Sequence, residues 1–475
     1  MGKTFIFAIG GTGANVMRSI LMLMASGAFP QKEIIPILID LDENNGNKNQ
    51  TLSLLSSYSQ IQNECHELIN NQSGVFNSKL VDINNGWEIA ECSTLLYRKK
   101  YIDILEYNEL IFDRYKYKKL TDSLFGYNEE RYDTIHSFFP KVDAQLARVA
   151  FDYSLSGNSI FEKIEMSANP NDMIIIIGST FGATGKAGIC EVLNEFKNRQ
   201  LLQHLYKAVV LVEPYFEVDK HKYDEPFYYS SNNFIDYYYR IYSNSVNQTF
   251  QIKTRKSQYY PYHEGGAEQI NPAHSATFRA ALTVMSIVDN DGRENEIDFD
   301  NSEDCSIDVL YRCGLGDIAM NLSYFAVSCY IWQKMNQDFL HREVYNSLKL
   351  YDKLKNNTYV AFDRFVNEYK TWCNEMSKSN IHLFDFNATS LNELIIGTKY
   401  IPHGLMSLFR GNLLKIYKDE MYRSFREFYT DTQASNYPAE EMFFKIINSE
   451  SYNYEVSFFF LKTLRDRICF KKSIL

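Results

Sequence analysis

The sequence lacks several features that would place the protein in a familiar class. Its eight cysteines are scattered and none forms a Cys-x-x-Cys pair, which argues against a zinc site or a disulfide framework and favours a reducing compartment. No apolar run approaches the length of a membrane-spanning helix. The first apolar run breaks at Gly10, too early for a secretory signal peptide. We therefore expect a cytoplasmic protein without membrane insertion.

An excess of positive charge is also missing. The 475 residues carry a formal net charge of −10, which argues against a protein that binds nucleic acid mainly through electrostatic attraction. Disorder of the whole chain is excluded by the 35 Tyr and 33 Phe residues, because they provide ample apolar surface for burial. A chain of this length can hold two or three domains and a large core.

The most informative stretch is residues 173–188. An apolar, β-branched run ends in a turn that contains Gly182 and Gly185, and a helix with apolar residues at helical spacing follows. A short strand that is apolar throughout is typical of a parallel sheet buried on both faces. Backbone amides at the start of a helix form a ready anion site, and we expect the bare backbone of Gly185 to leave room for a phosphate. A tight turn without a ligand gives the same pattern.

A second stretch at the start of the chain has the same design. Residues 4–9 predict a strand, a turn rich in glycine follows, and a helix extends to about residue 25. Two phosphate-type turns in one α/β domain indicate one ligand with several phosphates, contacted from two sides.

The remaining pattern alternates strands and helices. Residues 33–42 predict a strand with acids at its carboxyl end, and residues 208–216 predict a buried strand stopped by Pro214. Helices are expected at 142–153, at 227–242 and after Asn271, a natural N-cap with Pro272 in the first helical position. Polar residues 43–50 and acidic residues 289–308 predict loops. This alternation predicts a Rossmann-like, doubly wound, mostly parallel α/β sheet with its ligand at the strand carboxyl ends.

Three regions follow from this pattern. We expect residues 1–265 to form an α/β domain that carries both phosphate-type turns, with an irregular, helical insertion at 51–140. Residues 266–290 form a buried central helix. Residues 291–475 form a helix-rich C-terminal domain, with helices expected at 321–336, 338–376, 401–430 and 439–468.

Two common nucleotide motifs match only in part. Gly11 and Gly13 with the later Asp40 resemble a dinucleotide fingerprint, but Val16 stands where the third glycine belongs. Gly185-Lys186 suggests a Walker A motif, but Thr180 and Ala187 replace its first glycine and its Ser or Thr. The sequence therefore argues against a P-loop ATPase and leaves an NAD-binding oxidoreductase as an alternative.

Several motifs, in order, resemble the tubulin/FtsZ superfamily. Residues 182–187 look like its Gly-Gly-Thr-Gly-Ser-Gly signature loop, and residues 10–15 are similar to its first phosphate loop in the FtsZ form. Asp40-Leu-Asp42 matches its second loop, and residues 209–216 resemble a strand that ends in a Pro-Phe-like pair. Residues 145–148 and 265–274 look like divergent bacterial tubulin-like proteins. The resemblance covers roughly residues 4–290.

The resemblance implies a site for GTP or GDP. Backbone amides of the two glycine turns would hold the phosphates, Asp40 or Asp42 would act on Mg²⁺ through water with Asp40 as the metal contact, and Asn15 and Asn271 would meet the guanine edge. Lys186 would pair with the γ-phosphate or point to solvent. His274 is expected to be a core or interface histidine. The implied binding set is Gly10, Gly11, Thr12, Gly13, Asn15, Asp40, Asp42, Gly182, Ala183, Thr184, Gly185, Lys186 and Asn271.

Hydrolysis in that family uses acids from the next subunit, spaced Asn-x-Asp-x-x-Asp in FtsZ. The region after the buried helix is acidic without matching this spacing, so Asp289, Asp291 and Glu294 are the candidate catalytic acids, with a solvated acidic loop as the alternative. The C-terminal part also has more helix than the family's small sheet domain. We expect a tubulin-like GTP-binding protein that acts as a GTPase, with hydrolysis that depends on head-to-tail self-association. The alternatives are a scaffold that does not hydrolyse GTP and, behind it, an oxidoreductase that uses NAD.

Overall fold

The computed structural model describes residues 2–64, 75–94, 144–216, 227–254, 265–290 and 357–378, with isolated residues at 310–329 and 383–386. The helices predicted at 401–430 and 439–468, most of the 51–140 insertion, Asp291 and Glu294 lie outside the described residues. Within the described part, no helix combines the length and the apolar character that crossing a membrane requires.

Six parallel strands form one open sheet in the order β3-β2-β1-β4-β5-β6. This confirms the predicted Rossmann-like parallel sheet. Successive strands are added outward from β1 on one side and from β4 on the other, so the direction of winding reverses between these two central strands. The strands are β1 (Lys3–Ile9), β2 (Glu33–Ile39), β3 (Lys79–Leu80), β4 (Met173–Ser179), β5 (Tyr206–Val212) and β6 (Gln248–Ile252).

Helices cover both faces of the sheet. One face packs against α1, α2, α9 and α10, and the other against α4, α5, α6 and α8. The helices are α1 (Gly10–Ser26), α2 (Gly46–Glu64), α3 (Glu91–Thr94), α4 (Ala144–Leu155), α5 (Ser159–Ser167), α6 (Ala183–Lys197), α7 (Gln200–Gln203), α8 (Phe227–Ile241), α9 (Ser275–Asp289) and α10 (Asn357–Lys378).

The central strand β4 shows why its sequence is apolar throughout. Ile175 and Ile177 face the core shared with α1, whereas Ile174 and Ile176 face the core shared with α6. Because both faces are covered, a polar residue at any of these positions would be buried. The uninterrupted apolar run that predicted a parallel sheet therefore reflects two hydrophobic cores.

Helix α1 lies directly on the two central strands. Sixteen of its residues are buried, and a Cβ added at Gly13 would lie 2.7 Å from the carbonyl carbon of Ala8 and 2.9 Å from the carbonyl oxygen of Ile177. Only glycine permits so close an approach. This contact fixes the start of α1 beside the carboxyl ends of β1 and β4.

Strand β2 carries Pro36 in its middle, opposite Ile6 of β1. On its other side, Val81 donates to the carbonyl of Ile34, and pairing resumes only where Leu38 donates to the carbonyl of Trp87. Pro36 therefore faces the interval between the two paired stretches, and its missing N–H leaves no partner unsatisfied.

Three predicted boundaries are wrong. Residues 43–50 are not wholly a loop, because α2 begins at Gly46, where the side chain of Asn45 accepts a hydrogen bond from the Lys48 amide. Helix α9 begins at Ser275, four residues after Asn271. Its N-cap is His274, whose Nδ1 accepts from the Ala276 amide at 3.1 Å. The predicted loop starts at residue 289, but Asp289 still belongs to α9, so the helix extends one residue into the predicted loop.

Candidate functional site

A cleft opens at the carboxyl ends of β1, β2 and β4, where the winding of the sheet reverses. Ligands of doubly wound sheets bind at this kind of position. The empty space in and in front of the cleft, including the part open to solvent, is about 620 Å³. Its walls are Gly10, Gly11, Thr12, Asp40, Asp42, Asn45, Ser179, Phe181, Gly182, Ala183, Thr184, Gly185, Phe216, Gly265, Gln269 and Asn271. The predicted binding set lines this cleft, apart from Gly13, Asn15 and Lys186.

Two helices begin in the cleft without a side-chain cap. The N-cap of α1 is Ile9 and that of α6 is Gly182, and neither first turn contains an acidic residue. Among the other described helices, Asn158 caps α5 and His274 caps α9, whereas the four-residue α7 also lacks a side-chain cap. First-turn amides that no side chain satisfies carry the positive end of the helix dipole and attract anions. The two ends that face the cleft are therefore suited to phosphate.

The two glycine turns contact each other. Gly10 has a φ of +69°, and a Cβ placed there would lie 3.4 Å from Cγ2 of Thr184 and 3.7 Å from the Gly185 nitrogen. The start of α1 thus lies against the start of α6. A single ligand with two or more phosphates can contact both turns.

Gly185 has a different role from the one predicted. A Cβ at this position would lie 2.5 Å from both the carbonyl oxygen and Oγ of Ser179, and 2.8 Å from its nitrogen. The missing side chain lets α6 approach β4, so the expectation that it leaves room for a phosphate is wrong. The bare side of Gly11 instead faces the amide side chains beside the cleft: a Cβ there would lie 3.0, 3.1 and 3.2 Å from atoms of Asn47, Gln269 and Asn45.

Asp40 and Asp42 lie side by side after β2 but differ in environment. Oδ1 of Asp40 accepts from the Asp42 amide, whereas its Oδ2 is buried without a hydrogen-bond partner. Burial, followed by the nearby charge of Asp42, raises the pKa of Asp40 from 3.8 to about 7. Asp42 accepts from the amides of Asn44 and Gly266 and so ties the segment from Gly265 onward to the end of β2.

A magnesium ion would have few protein ligands here. Within the described ranges, no group of three or more His, Cys, Asp or Glu side chains could hold a metal ion. The unpartnered, buried Oδ2 of Asp40 nevertheless fits a cation that takes its other ligands from phosphate and water, as Mg²⁺ usually does.

The third wall of the cleft is rich in amide side chains. Nδ2 of Asn45 donates to Oε1 of Gln269 at 2.6 Å, and the Asn271 amide donates to Oδ1 of Asn47. Nδ2 of Asn15 donates to the carbonyl of Asn271 at 3.0 Å. The structure thus brings the predicted pair Asn15 and Asn271 together, but Asn15 contacts the backbone of Asn271 and does not itself line the cleft. Oδ1 of Asn15 is buried without a hydrogen-bond partner.

Lys186 does not point to solvent, which was one of its two predicted orientations. Its side chain is buried, and Nζ donates to Oγ of Ser230 on α8 at 2.7 Å. Next to it, Thr180 and Ser231 share a further hydrogen bond between α8 and the turn. Lys186 therefore joins α6 to α8 in this structure.

Asp289, the one candidate catalytic acid among the described residues, does not line the cleft. Asp289 ends α9, whose start lies beside Asn271. A helix of 15 residues is about 20 Å long, so Asp289 lies roughly that far from the cleft of its own chain. Asp291 and Glu294 lie outside the described residues.

Sequence reasoning missed Asn45, Ser179, Phe181, Phe216, Gly265 and Gln269 as lining residues. Ser179, Phe181 and Phe216 flank predicted turns or strands, so their position could have been found. Asn45 and Gln269 reach the cleft only because two distant segments pair. Comparison with protein-family models, curated proteins and solved structures finds no match to the chain.

Proposed function

We propose that the protein is a tubulin-like GTP-binding protein that holds the nucleotide phosphates in the cleft between α1 and α6. One observation supports this most: two adjoining helix N-termini, both without side-chain caps, open into one cleft at the reversal of the sheet. A nucleoside diphosphate or triphosphate has the charge and length to occupy both.

The amide-rich wall supports guanine as the base. Guanine presents adjacent donors and an acceptor on one edge, and amide side chains offer both kinds of group. Asn271 and Gln269 line the cleft, and Asn45 lies beside them. Phe181 and Phe216 add apolar surface to the same cleft, against which a base can pack.

Self-association supplies the catalytic acid in this proposal. Asp42 is engaged with backbone amides, and Asp40 is assigned to the cation. Asp289, at the end of α9, is too far from the cleft of its own chain, so a carboxylate that orients the attacking water comes from a second copy joined head to tail.

An NAD-binding oxidoreductase is the second candidate. The strand order and the position of Asp40 after β2 match the arrangement of dinucleotide-binding domains. Against it, Asp40 is only 4% exposed, and the segment that contains Gly265 is tied down over the end of β2. A ribose would have to displace this segment to reach the carboxylate.

Calorimetric titration of the full chain with GTP, GDP, ATP and NAD tests the proposal. We expect GTP and GDP to bind at least about tenfold more tightly than ATP or NAD, a difference that the loss of one well-placed hydrogen bond can produce. ATP or NAD binding as tightly as GTP would refute it. Binding of none of the four would favour a scaffold whose cleft holds no nucleotide.

A further inference from the structure

The segment 271–273, which forms part of the cleft wall, is held by three separate elements. The Asn271 amide donates to Asn47 of α2 at 2.6 Å, and the Asn271 carbonyl accepts from Asn15 of α1 at 3.0 Å. The Ala273 amide donates to Oε2 of Glu375 at 2.8 Å. Glu375 belongs to α10, so a helix from the C-terminal part of the chain reaches the site.

Glu375 is fixed by a second contact. Its Oε2 lies 2.6 Å from NH1 of Arg18, which is only 1% exposed in the middle of α1. A buried guanidinium stays charged and needs an anionic partner, so α10 cannot leave this position without exposing or isolating Arg18. A second carboxylate near Arg18 belongs to Glu368, whose Oε2 lies 3.4 Å from NH2 of Arg18 and also accepts from Nε2 of Gln50.

A third contact joins the same helices. Nε1 of Trp372, which is fully buried, donates to Oγ of Ser19 at 3.1 Å. Asn15, Arg18 and Ser19 therefore lie along one side of α1, with Asn15 holding the cleft wall and the other two holding α10. The position of α10 and the position of the 271–273 segment depend on the same part of α1.

We infer that Glu375 is a positioning residue for the cleft, through which the docking of α10 and the binding of the nucleotide are coupled. The inference rests on the proposed function for the identity of the ligand. Glu375 acts by holding the Ala273 amide, which keeps Asn271 in the wall. Because coupling between two sites is reciprocal, a partner that draws α10 away weakens nucleotide binding, and bound nucleotide strengthens the docking of α10.

Three variants separate this role from general stabilisation. Glu375→Ala removes the acceptor for the Ala273 amide, and we expect the Kd for GTP to rise about tenfold. Glu375→Gln keeps an acceptor oxygen and should restore most of the affinity. Glu368→Ala is the matched control: it removes a carboxylate from Arg18 but none from the 271–273 segment, so GTP should bind as to the wild type.

Hydrogen exchange in the ligand-free protein provides a readout that needs no nucleotide. The amides of Asn271 and Ala273 should exchange faster in Glu375→Ala than in Glu368→Ala after correction for the unfolding stability of each variant. If wild-type protein binds no GTP while these amides respond as expected, the proposed function fails and the positioning role stands. Equal exchange in the two alanine variants would overturn the inference, as would equal affinity where GTP binds.

Discussion

Replacing Gly185 with alanine tests whether this glycine serves the fold or the ligand. The new Cβ would lie 2.5 Å from the carbonyl oxygen of Ser179, whereas ordinary contacts begin near 3.4 Å. Since that oxygen belongs to the backbone of β4, the start of α6 would have to move by almost 1 Å. Overpacking of this kind costs about 1–3 kcal/mol. In a domain of 150–250 residues, a loss of about 2 kcal/mol lowers Tm by roughly 4–8 °C.

Two other glycines provide matched controls. A Cβ at Gly86 meets nothing within 4 Å, so Gly86→Ala should leave Tm unchanged. A Cβ at Gly11 meets the side-chain amides of Asn47, Gln269 and Asn45, which can shift. Gly11→Ala should therefore cost little stability, but its methyl group would crowd the amide wall of the cleft and weaken GTP binding.

Thermal unfolding followed by circular dichroism, together with calorimetric titration, measures both effects. If Gly185→Ala unfolds at the wild-type temperature, α6 does not lie as close to β4 as the structure shows. If that variant keeps its Tm but loses GTP, the glycine serves the phosphate and our correction of its role fails.

The remaining predictions concern pH and assembly. The folded state favours neutral Asp40, with a pKa of about 7 instead of 3.8, so its contribution to stability, up to about 4 kcal/mol, is lost as pH rises from 4 to 7. Burial lowers the pKa of His274 from 6.5 to about 4, so its contribution, up to about 3 kcal/mol, is lost as pH falls over nearly the same range. The two groups therefore change stability with pH in opposite directions. Relative to wild type, Asp40→Asn should gain stability at pH 8 but not at pH 4. His274→Asn keeps an N-cap acceptor, and its Tm should fall less steeply than that of the wild type as pH falls. Parallel Tm curves for a variant and the wild type would refute the assigned pKa. If hydrolysis needs a second copy, GTP turnover per molecule should rise with protein concentration. Asp291→Ala should bind GTP but hydrolyse it more slowly. Constant specific activity in a confirmed monomer would contradict the assembly model.

The elements that the sequence predicted well are those with a strong local signal. The strands β4 and β5 contain uninterrupted apolar runs at 173–177 and 208–212, and α6 carries apolar residues at helical spacing. By contrast, β6 reads Gln-Thr-Phe-Gln-Ile, lies at the edge of the sheet and is only half-buried. Its conformation depends on its pairing with β5, and no local sequence pattern predicts that pairing.

The missed helix boundaries have the same explanation. The first turn of α2 is rich in Asn and Lys, and the amides of Gly46 and Asn47 donate to the carbonyls of Gly266 and Gln269, more than 200 residues away. Asn271 looked like an N-cap because Pro follows it, but three tertiary hydrogen bonds keep the segment after it extended until His274. The phosphate-type turns could be predicted because each is contiguous, whereas the amide wall forms only when these distant segments meet.

Pro36 in β2 affects whether another chain can add a strand at the β3 edge of the sheet. A parallel sheet with a long, regular outer strand offers a continuous row of backbone groups on which another chain can add a strand and start an aggregate. Here the outermost pairing is two residues at Lys79–Leu80, followed by a gap opposite Pro36 and one isolated bridge between Leu38 and Glu88. An incoming strand would find no unbroken row of partners along this described edge. One imino acid thus interrupts the row of partners at this described edge, while β2 stays paired with the central strand β1 from Glu33 to Ile39.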